Sequence, residues 1–290
     1  MTGWKDADLE GKTALVTGST DGVGRLVAER LGLLGARVLV HGRDAARGEA
    51  VVETIREAGG RAEFLPADLA SLDEVRYLAE TVQSHAPRLD ILVNNAGIGP
   101  GAPGSPRAVS ADGNELRFAV NYLAGFLLTQ LLLPQLHAAP EARIVNVSSA
   151  GQQSVDFSDV MLERGYDGVS AYCRSKLAQI LFTIDLAEEL LGSGITVNAV
   201  HPASFMDTAL VREAGTTEPQ STVEEGADAI LNLAASPELE GETGQYFDLL
   251  AKARALPQAY DPNARARLKA LSLQLTGLDE VPSEEEGLRP

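Results

Sequence analysis

Residues 12–34 hold the arrangement that most narrows what this chain can fold into. Residues 12–17 read as a buried strand, Gly18-Ser19-Thr20-Asp21-Gly22-Val23-Gly24 follows as a glycine-rich turn, and residues 25–34 show helical periodicity. A strand running through such a turn into a helix suits an anionic ligand. The glycines permit a tight turn and close backbone approach, while the helix start offers unpaired amides and a partial positive charge. The spacing is G-x-x-x-G-x-G, so the common G-x-G-x-x-G fingerprint is not met. On this segment alone a plain strand–helix turn is an alternative.

The rest of the chain repeats the theme. Strands at 13–16, 37–40, 62–65, 91–93, 143–147, 196–200 and 245–247 alternate with amphipathic helices such as 45–58, 71–85 and 223–235. Alternation of this kind predicts an α/β fold, a parallel sheet covered by helices on both faces. A length of 290 residues suits one large domain, 1–290. Its core is expected over about 10–250, with a helical extension at 251–278 that stops at Gly277, and a frayed tail at 279–290.

Composition excludes several function classes. With 24 basic and 41 acidic residues the net charge is −17, which opposes nucleic-acid binding. Cys173 is the single cysteine, so no intrachain disulfide forms and a cytoplasmic location is expected. The first residues lack a basic stretch followed by an apolar one, and the apolar run at 126–133 is too short to cross a bilayer, so neither a secretory signal nor a membrane association is expected. His41, His85, His137 and His201 show no ligand spacing, and no metal site is expected.

The chemistry centres on Tyr172 and Lys176, four residues apart and therefore on one helix face. A lysine held near a phenol favours the phenolate, and the pair can then exchange a proton with a carbonyl or alcohol oxygen. Further pieces follow in order. Asn94-Asn95-Ala96-Gly97 ends one strand, Asn121 lies on a long apolar helix, Ser148-Ser149 closes another strand, and His201-Pro202 follows a third. Taken with the glycine spacing, this ordered set resembles the short-chain dehydrogenase/reductase family across about residues 10–250. The helix around Tyr172, the long segment after Ser149 and the extra C-terminal helix resemble its retinol-dehydrogenase-like branch.

The resemblance implies a doubly wound Rossmann fold with a seven-stranded, mainly parallel sheet. It implies an oxidoreductase that reversibly reduces a ketone or aldehyde. Tyr172 would be the acid/base, Ser149 would hold the reacting oxygen, Lys176 would lower the phenol pKa and bind the nicotinamide ribose, and Asn121 would hold a water on a proton path. Cofactor contacts carry over to Gly18, Ser19, Thr20, Asp21, Gly22, Val23 and Gly24 at the phosphates. Asp68 and Leu69 would meet the adenine, and Asn95, Ala96 and Gly97 the ribose side. Pro202 and Thr208 would lie near the carboxamide. An alanine, Ala203, stands where relatives commonly have glycine.

Cofactor flavour is read at the end of the second strand. Gly42 stands where an acidic residue would bind a free ribose, and the forked cation Arg43 follows, so NADP(H) is favoured over NAD(H). A local pairing of Arg43 with Asp44 is the alternative, and Asp21 adds a carboxylate where many NADP-dependent relatives have a base. Residues 151–170 are expected to form a partly apolar lid, with Phe205 and Met206 as the facing wall. A surface insertion is the other reading. The same scaffold supports epimerases, dehydratases, cyclases and nucleotide-sensing proteins. The partner expected is a small carbonyl or alcohol substrate, and relatives imply a homodimer or homotetramer formed through the Tyr172 helix.

Overall fold

A computed structural model describes residues 3–206, 212 and 218–278. Eight strands form one sheet: β1 (Thr13–Val16), β2 (Arg37–Gly42), β3 (Arg61–Pro66), β4 (Ile91–Asn94), β5 (Ala142–Val147), β6 (Ile195–His201), β7 (Tyr246–Asp248) and β8 (Ala251–Ala253). Their order is β3-β2-β1-β4-β5-β6-β7-β8. The seven strands read from the sequence all pair in parallel, and β8 adds an antiparallel edge through the Leu249-Leu250 turn. The helices are α1 (Gly22–Leu33), α2 (Ala45–Glu57), α3 (Leu72–His85), α4 (Ala124–His137), α5 (Gly168–Glu189), α6 (Val223–Ala235) and α7 (Pro262–Thr276).

Period-two alternation sends each strand's side chains to two separate apolar layers. Leu15, Leu39, Leu92, Ile144 and Val197 face one layer with α3, α4, α5 and α7. Ala14, Val16, Val38, Val40, Val93 and Val145 face the other with α1, α2 and α6. Helix ends follow local chemistry: Ser71 caps α3, Thr222 and Glu225 form a capping box on α6, and Gly277 ends α7 at φ +63°.

The apolar run at 126–133 belongs to a longer element than the sequence suggested. A π-helical turn, Phe118–Leu123, runs directly into α4. Together they make one 20-residue stretch long and apolar enough to cross a membrane, with most of it buried inside the fold. The broad apolar face of α5 is likewise consumed within one chain, against this π-helical turn and α7. Ion pairs from Arg265 to Glu188 (2.8 Å) and Asp185 (3.8 Å), with Lys269 to Glu189, fasten α7 there.

Residues 151–167 lie as a strap against the fold. Val155 and Leu162 are buried, and Phe157, Val160 and Met161 pack on the same apolar layer as α5. Gln258 bonds both the N–H (2.7 Å) and the carbonyl (2.9 Å) of Val155, and Gln152 accepts from Leu256 N–H (2.9 Å). The apolar side chains expected to roof a ligand are therefore largely spent on the core. Thr208 and residues 279–290 lie outside the described residues.

Candidate active site

Strand order reverses between β1 and β4, and this switch point opens a crevice at their carboxyl ends. Gly18 (φ +64°) lies so close to the β4 end that an added Cβ would stand 2.8 Å from Ala96 Cα. At Gly24 it would stand 2.3 Å from Asn95 Nδ2 and 2.4 Å from the Gly18 carbonyl. Only glycine permits this packing of α1 on the turn. At the start of α1 the Gly22 amide donates to Asp21, while those of Val23 and Gly24 have no intrahelical acceptor. These features fit a dinucleotide pyrophosphate.

Several residues expected to touch the cofactor are used structurally. Ser19 is fully buried, donating to the Val16 carbonyl (2.7 Å) and accepting from His41 N–H (3.0 Å). Asn95 donates through Nδ2 to the carbonyls of Thr17 (2.8 Å) and Gly18 (3.1 Å), bracing the turn. Leu69 is part of the core, and Asp68 binds its own loop through Ala70 N–H (3.0 Å). Asp21 caps α1, accepting from Gly22 N–H at 2.7 Å. His41 accepts the Gly18 N–H on Nδ1 (3.1 Å), and burial pushes its pKa down to about 4, so it stays neutral.

At the β2 end, Gly42 touches Thr20, where an added Cβ would stand 2.5 Å away. Arg43 is exposed and lies 3.9 Å from Asp68, not against Asp44. Asp44 instead caps α2 and lies 3.5 Å from Arg47, which also reaches Asp21 at 3.5 Å. Arg47 escaped the sequence reading. Its signal was present, because it stands four residues after Arg43 at the start of the following helix.

The catalytic candidates converge on the other side of the crevice. β5 delivers Ser148 and Ser149, and α5 delivers Tyr172 and Lys176. Ser148 donates to the Lys176 carbonyl (2.7 Å) and so joins β5 to α5. Ser149 accepts the Gly151 N–H (3.0 Å), and its hydroxyl acts to lower the Tyr172 phenol pKa. A Cβ added at Gly151 would meet Ser149 Oγ at 3.4 Å, Cys173 Sγ at 3.5 Å and Tyr172 Cε1 at 3.8 Å. One at Gly97 would meet Asn121 Oδ1 at 3.3 Å and Lys176 Nζ at 3.6 Å. Gly97, Asn121 and Lys176 thus share one wall. Pro202 is buried just beyond β6, and His201 bonds Ser204 Oγ (3.0 Å). Met206, expected as a ligand wall, is buried over Gly226, whose added Cβ would strike its sulfur at 2.4 Å.

Asn121, expected to hold a water, has its side chain engaged by the chain itself. Oδ1 accepts Ile98 N–H (2.7 Å), and Nδ2 donates to the Ile98 carbonyl (3.1 Å) and Ser175 Oγ (3.0 Å). Lys176 was to lower the phenol pKa. Its Nζ lies 5.8 Å from the Tyr172 ring centre, and burial dominates both groups. Burial pushes the phenol above its ordinary value against the lowering influence of Ser149, and the ammonium is pushed down to about 7. Nζ donates to the Val147 carbonyl (2.8 Å) and to Gln179 Oε1 (3.0 Å), a partner legible only as a position three residues further along α5.

The buried lysine carries a pH signature. In the unfolded chain an ammonium titrates near ~10.4. Between about 7 and that value the unfolded chain binds more protons, so this group makes stability rise with pH; the gain is lost as pH falls through about 7. Lys176→Met is therefore expected to raise the thermal midpoint more below pH ~6 than above pH ~9. Differential scanning fluorimetry of wild type and variant checks this, and equal shifts at both ends would contradict it.

The fold, the glycine turn and the Ser-Tyr-Lys grouping define a class of nucleotide-dependent oxidoreductase. The chain belongs to the short chain dehydrogenase family, which it matches over residues 12–219. Within that family it falls in the retinol-dehydrogenase-like branch. It is 38% identical to human retinol dehydrogenase 13, covering 97% of this chain and 88% of that protein. Mouse polyprenol dehydrogenase is 41% identical over 92% of this chain and 84% of its own length. The solved Pseudomonas aeruginosa RhlG/NADP active-site complex superposes with a TM-score of 0.69 at 30% identity, covering 86% of this chain and 98% of that one.

Proposed function

We propose that this oxidoreductase uses NADP(H) to interconvert a ketone or aldehyde with its alcohol. The observation that carries the reading is the convergence of Ser149 Oγ and the Tyr172 ring on Gly151, with Lys176 Nζ 5.8 Å from that ring and also beside Gly97. The cofactor supplies or accepts the hydride. Because Ser149 accepts the Gly151 amide proton, its own hydroxyl hydrogen is free to point at the phenol or at a substrate oxygen. Tyr172 then gives its proton to that oxygen in reduction and recovers it in oxidation. An ammonium has three N–H bonds, and two of Lys176's are committed to Val147 and Gln179, leaving one for the nicotinamide ribose. Asn121 serves this reading by fixing the Ile98 backbone beside Gly97.

The names of the two relatives make long apolar alcohols and their carbonyls the first substrates to test. A net charge of −17 argues against nucleic acid as a partner. A lone cysteine supports a reducing, cytoplasmic compartment. The test is a panel of aldehydes and ketones with NADPH, followed at the nicotinamide absorbance. Oxidation dependent on a carbonyl supports the reading. Normal cofactor binding with no oxidation by any member would refute it and favour an epimerase, dehydratase or sensor.

Cofactor flavour rests on Arg43 and Arg47, two exposed guanidiniums at the end of β2. Hydrogen bonds to charged groups contribute about 1.5–3 kcal/mol, so each of Arg43→Ala and Arg47→Ala should weaken NADPH roughly 10- to 100-fold. NADH affinity should change little. Fluorescence titration with both cofactors decides it, and equal losses for the two would remove the 2′-phosphate assignment.

A further inference from the structure

A buried polar knot lies outside the groups assigned above. Arg117 and Glu115 are 7% and 1% exposed, with Nη1 3.6 Å from Glu115 Oε1. Arg117 donates to acceptors in two segments: Nε to the Gly99 carbonyl (3.0 Å) and Nη2 to the Pro100 carbonyl (2.7 Å) in one loop, and Nη1 to the Tyr166 hydroxyl (2.7 Å) in another. The Tyr166 hydroxyl donates to Glu115 Oε1 (3.2 Å), and Glu115 Oε2 accepts the Phe118 N–H (2.7 Å). A buried ion pair contributes little net stability after desolvation, so a fully satisfied one is better explained by what it holds in register.

What it joins is specific. Gly99 and Pro100 continue from Gly97 and Ile98, the wall that faces Lys176 and is bonded by Asn121. Phe118 opens the π-helical turn that carries Asn121. Tyr166 precedes Gly168, the first residue of α5, and Tyr172 stands one helical turn beyond it. Two glycines make room: a Cβ at Gly168 would stand 2.2 Å from the Pro100 carbonyl oxygen, and one at Gly101 (φ +79°) 2.6 Å from Arg117 Nη2. The start of α5 therefore sits directly on the loop that Arg117 grips.

We infer that Arg117, Glu115 and Tyr166 are positioning residues that set the distance between Tyr172 on α5 and the cofactor-side wall at Gly97–Pro100. The inference rests on the carbonyl-reductase reading and assigns these residues no contact with substrate. Misplacing a proton donor by about 1 Å can cost on the order of 100-fold in rate, whereas the phosphate end of the cofactor site lies on other elements.

The test compares full-length wild type with Tyr166→Phe, Arg117→Lys and Arg117→Met. The readouts are kcat, KM, NADPH Kd, thermal midpoint and the isotope effect on kcat from NADPH deuterated at the transferring position. Tyr166→Phe keeps the ring and is expected to lower kcat about tenfold, with NADPH Kd within about twofold and a larger isotope effect as the chemical step becomes limiting. Arg117→Lys should recover part of the kcat lost in Arg117→Met. An active wild type whose Tyr166→Phe variant keeps kcat and isotope effect would overturn the inference alone. So would parallel losses of kcat, cofactor affinity and thermal midpoint, which mark a purely structural knot. A wild type without carbonyl turnover overturns the inference together with the reading beneath it.

Discussion

Replacing Tyr172 by phenylalanine is expected to lower kcat by about 10³-fold, within the range that positioned acid–base groups contribute. NADPH affinity and thermal midpoint should stay close to wild type. The ring's packing survives the change, and only the hydroxyl on the Ser149 side is lost. Burial raises the phenol, so at neutral pH it holds its proton and is ready to donate in the reductive direction. In the oxidative direction the same shift is a handicap, while burial separately pushes Lys176 down to about 7. The reverse reaction should accordingly be the more sensitive to acid. Steady-state kinetics in both directions, with cofactor titration, checks these points. Equal losses of turnover and NADPH affinity in Tyr172→Phe would make the tyrosine a binding residue.

Gly24→Val carries the second large effect, on binding instead of chemistry. The first atom of any side chain at this position would lie 2.4 Å from the Gly18 carbonyl oxygen and 2.3 Å from Asn95 Nδ2. Both are fixed, since Asn95 braces the backbone of Thr17 and Gly18 and Gly18 N–H is held by His41. Relief requires α1 to move off the turn, taking with it the amides of Gly22, Val23 and Gly24. Overpacking of a tight site costs about 1–3 kcal/mol and sometimes more. The helix start that would face the pyrophosphate is lost as well, and NADPH Kd is expected to rise by at least roughly 100-fold. Isothermal titration together with a thermal melt separates the two parts. A variant with near-normal Kd would show that cofactor does not lie on α1.

Much of the scaffold was legible because each element announces itself locally. Apolar runs between turn residues gave the seven parallel strands, and Gly277 marked the end of α7 through its left-handed backbone. β8 was not legible: Ala251-Lys252-Ala253 is too short a run to announce a strand, and the Leu249-Leu250 turn folds it onto β7. The Tyr172–Lys176 spacing and the choice of Ser149 over Ser148 could be read from motif order. The partners of individual polar side chains could not. Nothing near Asn121 says that it binds Ile98, and nothing near Arg117 names Tyr166, 49 residues away. Likewise Phe157 and Met161 looked ready for a ligand because hydrophobicity does not say whether core or substrate will cover a side chain. Such pairings are set by tertiary geometry, which periodicity does not encode.

In the proposed reaction, Ser149, Tyr172 and Lys176 surround a carbonyl that receives hydride from a bound nicotinamide. The most direct test follows the label from NADPH deuterated at the transferring carbon into a carbonyl substrate, using mass spectrometry of the alcohol formed. Deuterium on the carbinol carbon with wild type, and its near absence with Tyr172→Phe under the same cofactor saturation, is the predicted result. Saturating NADPH with no deuterium passed to any aldehyde or ketone would contradict the account.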